Sequence, residues 1–297
     1  MRKRLMVTGA GGFVAGSIIQ DAVNGWEVHG VSRSPAPVEM PNLVWHQVPE
    51  VDADILHDVF HDIEPDAMIH TAALADIDFC EANKELAEQV NTTLTRELAE
   101  LCEDHETRFV FLSTDTVFDG EGGLYMEDDP PHPVNFYGMT KVRAEEAVTS
   151  IGGDSVIARV ALVMGLPVLG AGNSFVSRMI ATLDAGKNAT APVNEVRSPV
   201  DVITLGRALV ELAGNDFQGR IHLSGNDVLN RYDMMLRIAA RLGYAPDRII
   251  AQDPSGIPGR APRPRDVSLN NAKARKVLGT PMLGLDEGLE LVLTSGK

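Results

Sequence analysis

Tyr137 and Lys141 stand four residues apart in Tyr137-Gly138-Met139-Thr140-Lys141, a spacing that puts both on one face of a helix. A phenol with its ordinary pKa of about 10 is a poor proton donor or acceptor at neutral pH. An ammonium one helical turn away favours the phenolate, which predicts a lowered pKa and a general acid/base at Tyr137. A surface Tyr–Lys pair is the plain alternative. Just upstream, Phe109-Val110-Phe111-Leu112 runs into Ser113-Thr114-Asp115-Thr116-Val117-Phe118, an apolar strand ending in hydroxyls and a carboxylate. Ligands bind at that edge of open α/β sheets, where a hydroxyl can bond a substrate carbonyl and steady a developing alkoxide.

A second candidate site opens the chain. Thr8-Gly9-Ala10-Gly11-Gly12-Phe13-Val14-Ala15-Gly16 follows an apolar stretch and leads into a helical one. Glycines allow a tight turn and close approach of a pyrophosphate, which then rests on the free N–H groups of the helix start. About 20 residues on, where a ribose-binding carboxylate is expected, stand Ser32-Arg33-Ser34, and positions 31–34 hold no Asp or Glu. A cation flanked by hydroxyls suits the 2′-phosphate of NADP better than the free hydroxyl of NAD. NADP is therefore the expected cofactor, with NAD left open and a solvated Arg33 as the plain alternative.

These groups need a frame. Short apolar runs at 4–8, 27–31, 43–48, 67–71, 108–112 and 156–160 read as strands buried on both faces. They alternate with helical spacing at 12–24, 54–63, 84–105 and 135–150, which predicts an α/β fold with a doubly wound parallel sheet. Beyond about residue 163 the texture changes. Residues 165–173 and 253–265 read as loops, 198–213, 233–242, 271–278 and 286–293 as helices, and 219–223 as one more strand. Residues 1–165 and 198–225 are expected to form a dinucleotide-binding domain, with 166–197 and 226–297 a smaller substrate-binding cap.

Composition narrows the function. Lys plus Arg number 26 against 42 Asp plus Glu, a net charge of −16. That field opposes nucleic acid and anionic membrane surfaces, so a small molecule is the expected partner. The two cysteines, Cys80 and Cys102, give no disulfide framework and fit a reducing cytoplasm. The basic start followed by an apolar stretch superficially resembles a signal peptide, but the glycines at 9, 11, 12 and 16 interrupt it. No run of about 18 apolar residues suggests a membrane span. His57 and His61 have metal-pair spacing without a third ligand elsewhere, so a solvated helix face is expected and no metal.

Taken together, Gly9-x-x-Gly12-x-x-Ala15, Ser113-Thr114-Asp115 and Tyr137-x-x-x-Lys141 resemble the extended short-chain dehydrogenase/reductases. Ser113-Thr114-Asp115-x-Val117-Phe118-Asp119-Gly120, Asn135-x-Tyr137-Gly138-x-x-Lys141, Arg197-x-Pro199 and Arg263-Pro264 leading into Ser268-Leu269 resemble the dTDP-4-dehydrorhamnose reductase-like subgroup. That subgroup also contains the regulatory β subunit of methionine adenosyltransferase. The resemblance covers essentially the whole chain.

It implies a catalytic set of Thr114, Tyr137 and Lys141. The pro-S hydride of NADPH would pass to a carbonyl carbon while Tyr137 protonates the oxygen, Thr114 orients that oxygen and Lys141 holds the nicotinamide ribose. Gly9, Gly11, Gly12, Phe13, Val14, Ser32, Arg33, Ala72, Ala73 and Asn91 would complete the cofactor site, a structural role for Asn91 being equally open. Asp115, Arg197 and Arg263 would meet substrate, and Arg260 and Arg265 could join them in clamping a diphosphate; a salt-bridged loop is the alternative. Thr116, Leu162 and Val200 stand where the rhamnose-pathway reductases usually show Tyr, Trp and Thr. The implied function is reduction of a keto group on a nucleotide sugar. A free sugar or small carbonyl substrate, or a non-catalytic NADP-binding regulatory subunit, remain alternatives, and the family leaves a homodimer open.

Overall fold

Most of the apolar runs become strands buried on both faces, with Leu5, Met6, Val7, Val110 and Phe111 fully buried; the run expected at 43–48 is instead a half-exposed edge strand, with Val44 open to solvent. The computed structural model describes residues 2–50, 52–170, 172, 174–254 and 257–295. Positions 171 and 173 of the first expected loop, and 255 and 256 of the second, lie outside the described residues.

In chain order, β1 (Arg4–Thr8) leads to α1 (Phe13–Ala22), then β2 (Glu27–Ser32), β3 (Leu43–Gln47), α2 (Ala53–Ile63) and β4 (Ala67–His70). Next come α3 (Ile77–Ala82), α4 (Lys84–Glu88), a π-helical segment over Gln89–Thr93, and α5 (Leu94–Asp104). β5 (Arg108–Thr114), α6 (Phe136–Ile151) and β6 (Ser155–Val160) carry the chain to β7 (Val163–Met164), α7 (Phe175–Asp184), β8 (Ala189–Pro192), β9 (Val196–Arg197) and β10 (Val200–Asp201). α8 (Val202–Gly214), β11 (Gly219–Leu223), β12 (Leu229–Asn230), α9 (Arg231–Arg241), β13 (Ile249–Gln252), α10 (Ala272–Val277) and α11 (Leu285–Ser295) follow.

Seven strands form one sheet in the order β11-β6-β5-β4-β1-β2-β3, and every pairing is parallel. The order reverses beside β1, the switch point where doubly wound sheets open a ligand crevice. On one face, Ile18 and Ile19 of α1 pack with Leu205 and Leu209 of α8. On the other, Phe60 of α2, Leu98 of α5 and Val148 of α6 pack together. A further core outside the sheet gathers Met179, Leu183, Met234, Ile238 and Leu289, with β8 and β13 paired parallel beside it. Ala274, Leu278 and Met282 return to the sheet's own core.

Several segments depart from the sequence reading. The helix expected over 84–105 is broken by the π-helical segment, because Asn91 turns its side chain away from solvent to bond the Leu74 backbone. Such bulges often mark functional sites. The helix expected from 198 begins only at Val202: residues 200–201 pair with β7, and the Asp201 carboxylate caps α8 by accepting from the Ile203 and Thr204 amides. Helices α3 and α7 were not anticipated; Asp76 and Ser174 cap them.

The crossing of α1 and α8 is close. A Cβ on Gly206 would lie 2.5 Å from Ser17 Oγ and 2.8 Å from the Ser17 backbone carbon. Gly206→Ala gains about 1 kcal/mol of helix propensity, but overpacking against a backbone atom costs about 1–3 kcal/mol. The expected net result is a lower urea midpoint; an unchanged or raised midpoint would show that the helices separate freely.

Candidate active site

The end of β5 and the first turns of α6 bring the sequence's central residues together. Thr114, Tyr137 and Lys141 are all buried. Asn135 caps α6 by accepting from the Gly138 amide at 2.9 Å, which sets where Tyr137 begins its turn. Gly138 allows that turn to approach β5, since a Cβ there would meet the Thr116 carbonyl oxygen at 2.4 Å. The Tyr137 phenol hydrogen-bonds the Thr114 side chain. Thr114 Oγ1 also lies 3.0 Å from Thr116 Oγ1.

Lys141 Nζ donates to the Leu112 carbonyl oxygen at 2.8 Å and sits 4.6 Å from the centroid of the Phe111 ring. Burial lowers its pKa to about 8, partly opposed by Glu145 and Cys80, so the amine stays largely cationic at neutral pH. The phenol behaves differently from the expectation. Burial, followed by the Asp115 and Cys80 charges, holds Tyr137 well above the usual tyrosine range, and only the Thr114 hydrogen bond opposes this. Lys141 is not among the groups that shift it. Four-residue spacing places the two on one face, but Lys141 Nζ bonds the Leu112 carbonyl and burial dominates the phenol. In this geometry Tyr137 is a neutral phenol, a proton donor.

The glycine turn fits a dinucleotide. Gly9 adopts φ +69°, and a Cβ there would lie 2.8 Å from the Ala72 backbone, which brings the 71–73 loop beside the turn. Gly12 is extended and offers no side-chain cap, so the amides opening α1 at Phe13 and Val14 are left for a ligand. A Cβ on Gly11 would sit 2.8 Å from Ser32 Oγ, and Ser32 Oγ accepts from the Ser34 amide at 3.2 Å. Arg33 is exposed at the end of β2 and makes no ion pair among the described residues. Ala73 lies on the same loop as Ala72. Asn91 is fully buried, bonded to Leu74 and, through Nδ2, to Thr140 Oγ1 at 3.1 Å. It therefore braces that loop against α6.

The arginines divide. Arg263 forms a bidentate pair with Asp78 of α3, both contacts at 2.9 Å, and does not join Arg197. Arg265 is exposed. Arg197 lies 3.9 Å from Asp115 and 4.0 Å from Glu195. Glu195, itself buried, is met by Arg231 at 3.5 Å and Arg260 at 2.5 Å. Three guanidinium groups around one carboxylate leave a local positive excess in a strongly acidic chain. The sequence reading missed Glu195 and Arg231, whose only signal is Arg231 directly after the Asn230 cap. His57 and His61 lie edge to face at 6.5 Å, with His61 also against His105.

Asp115 is fully enclosed and its Oδ2 has no hydrogen-bond partner. Burial raises its pKa from 3.8 to about 6, against the pull of Arg197 and bonds from Thr114, Leu162 and Thr116. Between those values the folded chain holds a proton that the unfolded chain has released, so stability falls as pH rises from about 4 to about 6. Asp115→Asn should remove that slope and gain about 1–3 kcal/mol on the wild type between pH 4 and pH 7 in urea titrations. Parallel curves would contradict the buried carboxylate.

Known proteins resemble the chain over nearly its whole length. The family described as RmlD substrate binding domain matches residues 2–297. "Probable low-salt glycan biosynthesis reductase Agl14" of Haloferax volcanii is 29% identical over 290 residues, covering 95% of each chain. "Methionine adenosyltransferase 2 subunit beta" of Pongo abelii is 29% identical, covering 97% of this chain and 87% of its own. The crystal structure of a hypothetical dTDP-4-dehydrorhamnose reductase from Sulfolobus tokodaii superposes with a TM-score of 0.83 at 30% identity, covering 97% of this chain and 99% of that one. The chain belongs to the RmlD substrate binding domain family.

Proposed function

We propose that the chain is an NADPH-dependent reductase of a keto group on a nucleotide sugar. The observation that carries this reading is the convergence of Thr114, Tyr137 and Lys141 where β5 meets α6. A nicotinamide cofactor bound along the glycine turn would supply the hydride for the carbonyl carbon. The chain's own residues do the rest. Thr114, already bonded to the phenol, holds the substrate oxygen beside Tyr137. The alkoxide that forms there is a far stronger base than a phenolate, so even a phenol with a raised pKa gives up its proton. Lys141, cationic below about pH 8, would hold the cofactor's ribose and favours negative charge in the site.

The amides of Phe13 and Val14 hold the pyrophosphate, and Arg33 with Ser32 and Ser34 takes the 2′-phosphate. Arg197, Arg231 and Arg260 form the anchor for a substrate diphosphate, their charge only partly offset by Glu195. Arg263, engaged with Asp78, fastens the 260–265 segment over α3. A second reading, a nucleotide-binding subunit without turnover, has support in the relative named methionine adenosyltransferase 2 subunit beta. The complete Thr114, Tyr137 and Lys141 set favours the reductase.

Tyr137→Phe should lower kcat about 100-fold or more while NADPH affinity, read by fluorescence, changes less than about threefold. Retained turnover would refute Tyr137 as the donor, and a wild-type chain that oxidises NADPH with no carbonyl would favour the subunit reading. Arg33→Ala should raise the KM for NADPH about 10- to 100-fold, the loss of one charged hydrogen bond, and leave that for NADH nearly unchanged. Equal effects on both cofactors would remove Arg33 from the 2′-phosphate site.

A further inference from the structure

One turn beyond Lys141 on α6 lies a carboxylate that the reaction above does not use. Glu145 is 2% exposed. One of its oxygens accepts from Ser113 Oγ at 2.5 Å, and Ser113 immediately precedes Thr114. Its other face holds the Arg159 guanidinium of β6, with Nε at 3.0 and 3.1 Å and Nη2 at 2.7 Å. Arg159 is fixed in turn, donating from Nη1 to the Glu127 carbonyl oxygen at 3.1 Å and lying over the Phe118 ring at 5.0 Å. Arg220 of β11 approaches the same carboxylate at 3.8 Å.

We propose that Glu145 is a positioning residue, which locks the end of β5 to the helix carrying Tyr137 and Lys141 and is itself held by Arg159. This rests on the reductase reading for its consequence, but not for its geometry. Four elements meet at one carboxylate: β5 through Ser113, α6 through Glu145 itself, β6 through Arg159 and, more distantly, β11 through Arg220. A buried ion pair contributes little stability over an apolar replacement of the same shape, whereas its directional bonds fix where the strand end stands. A shift of about 1 Å between Thr114 and Tyr137 would suffice to slow proton delivery about 100-fold.

The carboxylate also bears on Lys141. The ionisable groups that bear on that amine are Glu145 on α6, Cys80 on α3 and His70 on β4, while Arg159 on β6 and Arg220 on β11 bear on Glu145 itself. His70 is buried and neutral near pH 7, its pKa lowered to about 3 by burial and then by Lys141. Cys80 is a thiol whose pKa burial raises. Glu145 is therefore the carboxylate that favours the Lys141 ammonium, against the effect of burial.

Glu145→Gln and Ser113→Ala separate these effects, and both have readouts in the free chain. In Glu145→Gln, NMR titration of the lysine Cε resonances should move the Lys141 ionisation clearly below the wild-type value of about 8. Ser113→Ala leaves the Glu145–Arg159 pair intact. It should speed amide exchange at Thr114 and Thr116 about tenfold without altering β1 or β4, and lower kcat about tenfold with the KM for NADPH unchanged. If Glu145→Gln does not fold, the Ser113→Ala exchange rates decide alone. Unmoved exchange in Ser113→Ala, or an unmoved Lys141 ionisation in folded Glu145→Gln, overturns the proposal. A wild type without reductase activity would instead sink the functional reading and leave the exchange and titration results to judge Glu145.

Discussion

The ammonium of Lys141, enclosed between the end of β5 and α6, donates to the Leu112 carbonyl oxygen and lies over Phe111. A charge so placed loses its hydration, and it persists near neutrality because it has a fixed acceptor, a ring face and a carboxylate one turn along. That bond ties α6 to the end of β5. Tyr137 stands against Thr114 at the hydroxyl-rich end of β5. The cap on Asn135 and the space left by Gly138 serve the same constraint from the helix start.

Around this point the chain concentrates positive charge against its own average. The molecule carries a formal charge of −16, yet Arg197, Arg231 and Arg260 converge on Glu195 close to Asp115. Burial of Asp115 makes its charge responsive to mildly acidic pH, so the local excess grows as that carboxyl takes up a proton. Such an arrangement suits an anionic substrate that must approach an acidic surface, because fixed guanidinium groups act at short range where the overall field is screened. A neutral, buried phenol beside them is in the protonation state that reduction of a carbonyl requires.

Much of this was legible in the sequence, for physical reasons that differ by residue. The parallel sheet announced itself because strands buried on both faces must be short apolar runs, as Leu5-Met6-Val7 is, and glycines in the first turn signalled a backbone that something must approach. The face shared by Tyr137 and Lys141 followed from helical periodicity alone. What periodicity cannot show is which atom receives a hydrogen bond. Lys141 bonds Leu112 rather than bearing on the phenol, so the expected lowering of the tyrosine pKa gave way to burial. Long-range partners were equally hidden. Arg263 reaches Asp78 across 185 positions, and Glu195 draws in Arg260 across 65. The break at Gln89–Thr93 escaped because Asn91 is an unremarkable helix-face residue until the Leu74 backbone beside it is known.

The phenol's protonation state bears most directly on all of this. Tyrosine labelled at Cζ gives one NMR resonance for each of the four tyrosines, and comparison with Tyr137→Phe identifies the one that matters. Burial requires that this resonance hold its neutral position up to about pH 11, past the midpoint near 10 of an ordinary exposed tyrosine. Ionisation close to neutral pH would mean that the Lys141 charge outweighs burial, and that Tyr137 rests as a base instead of a donor.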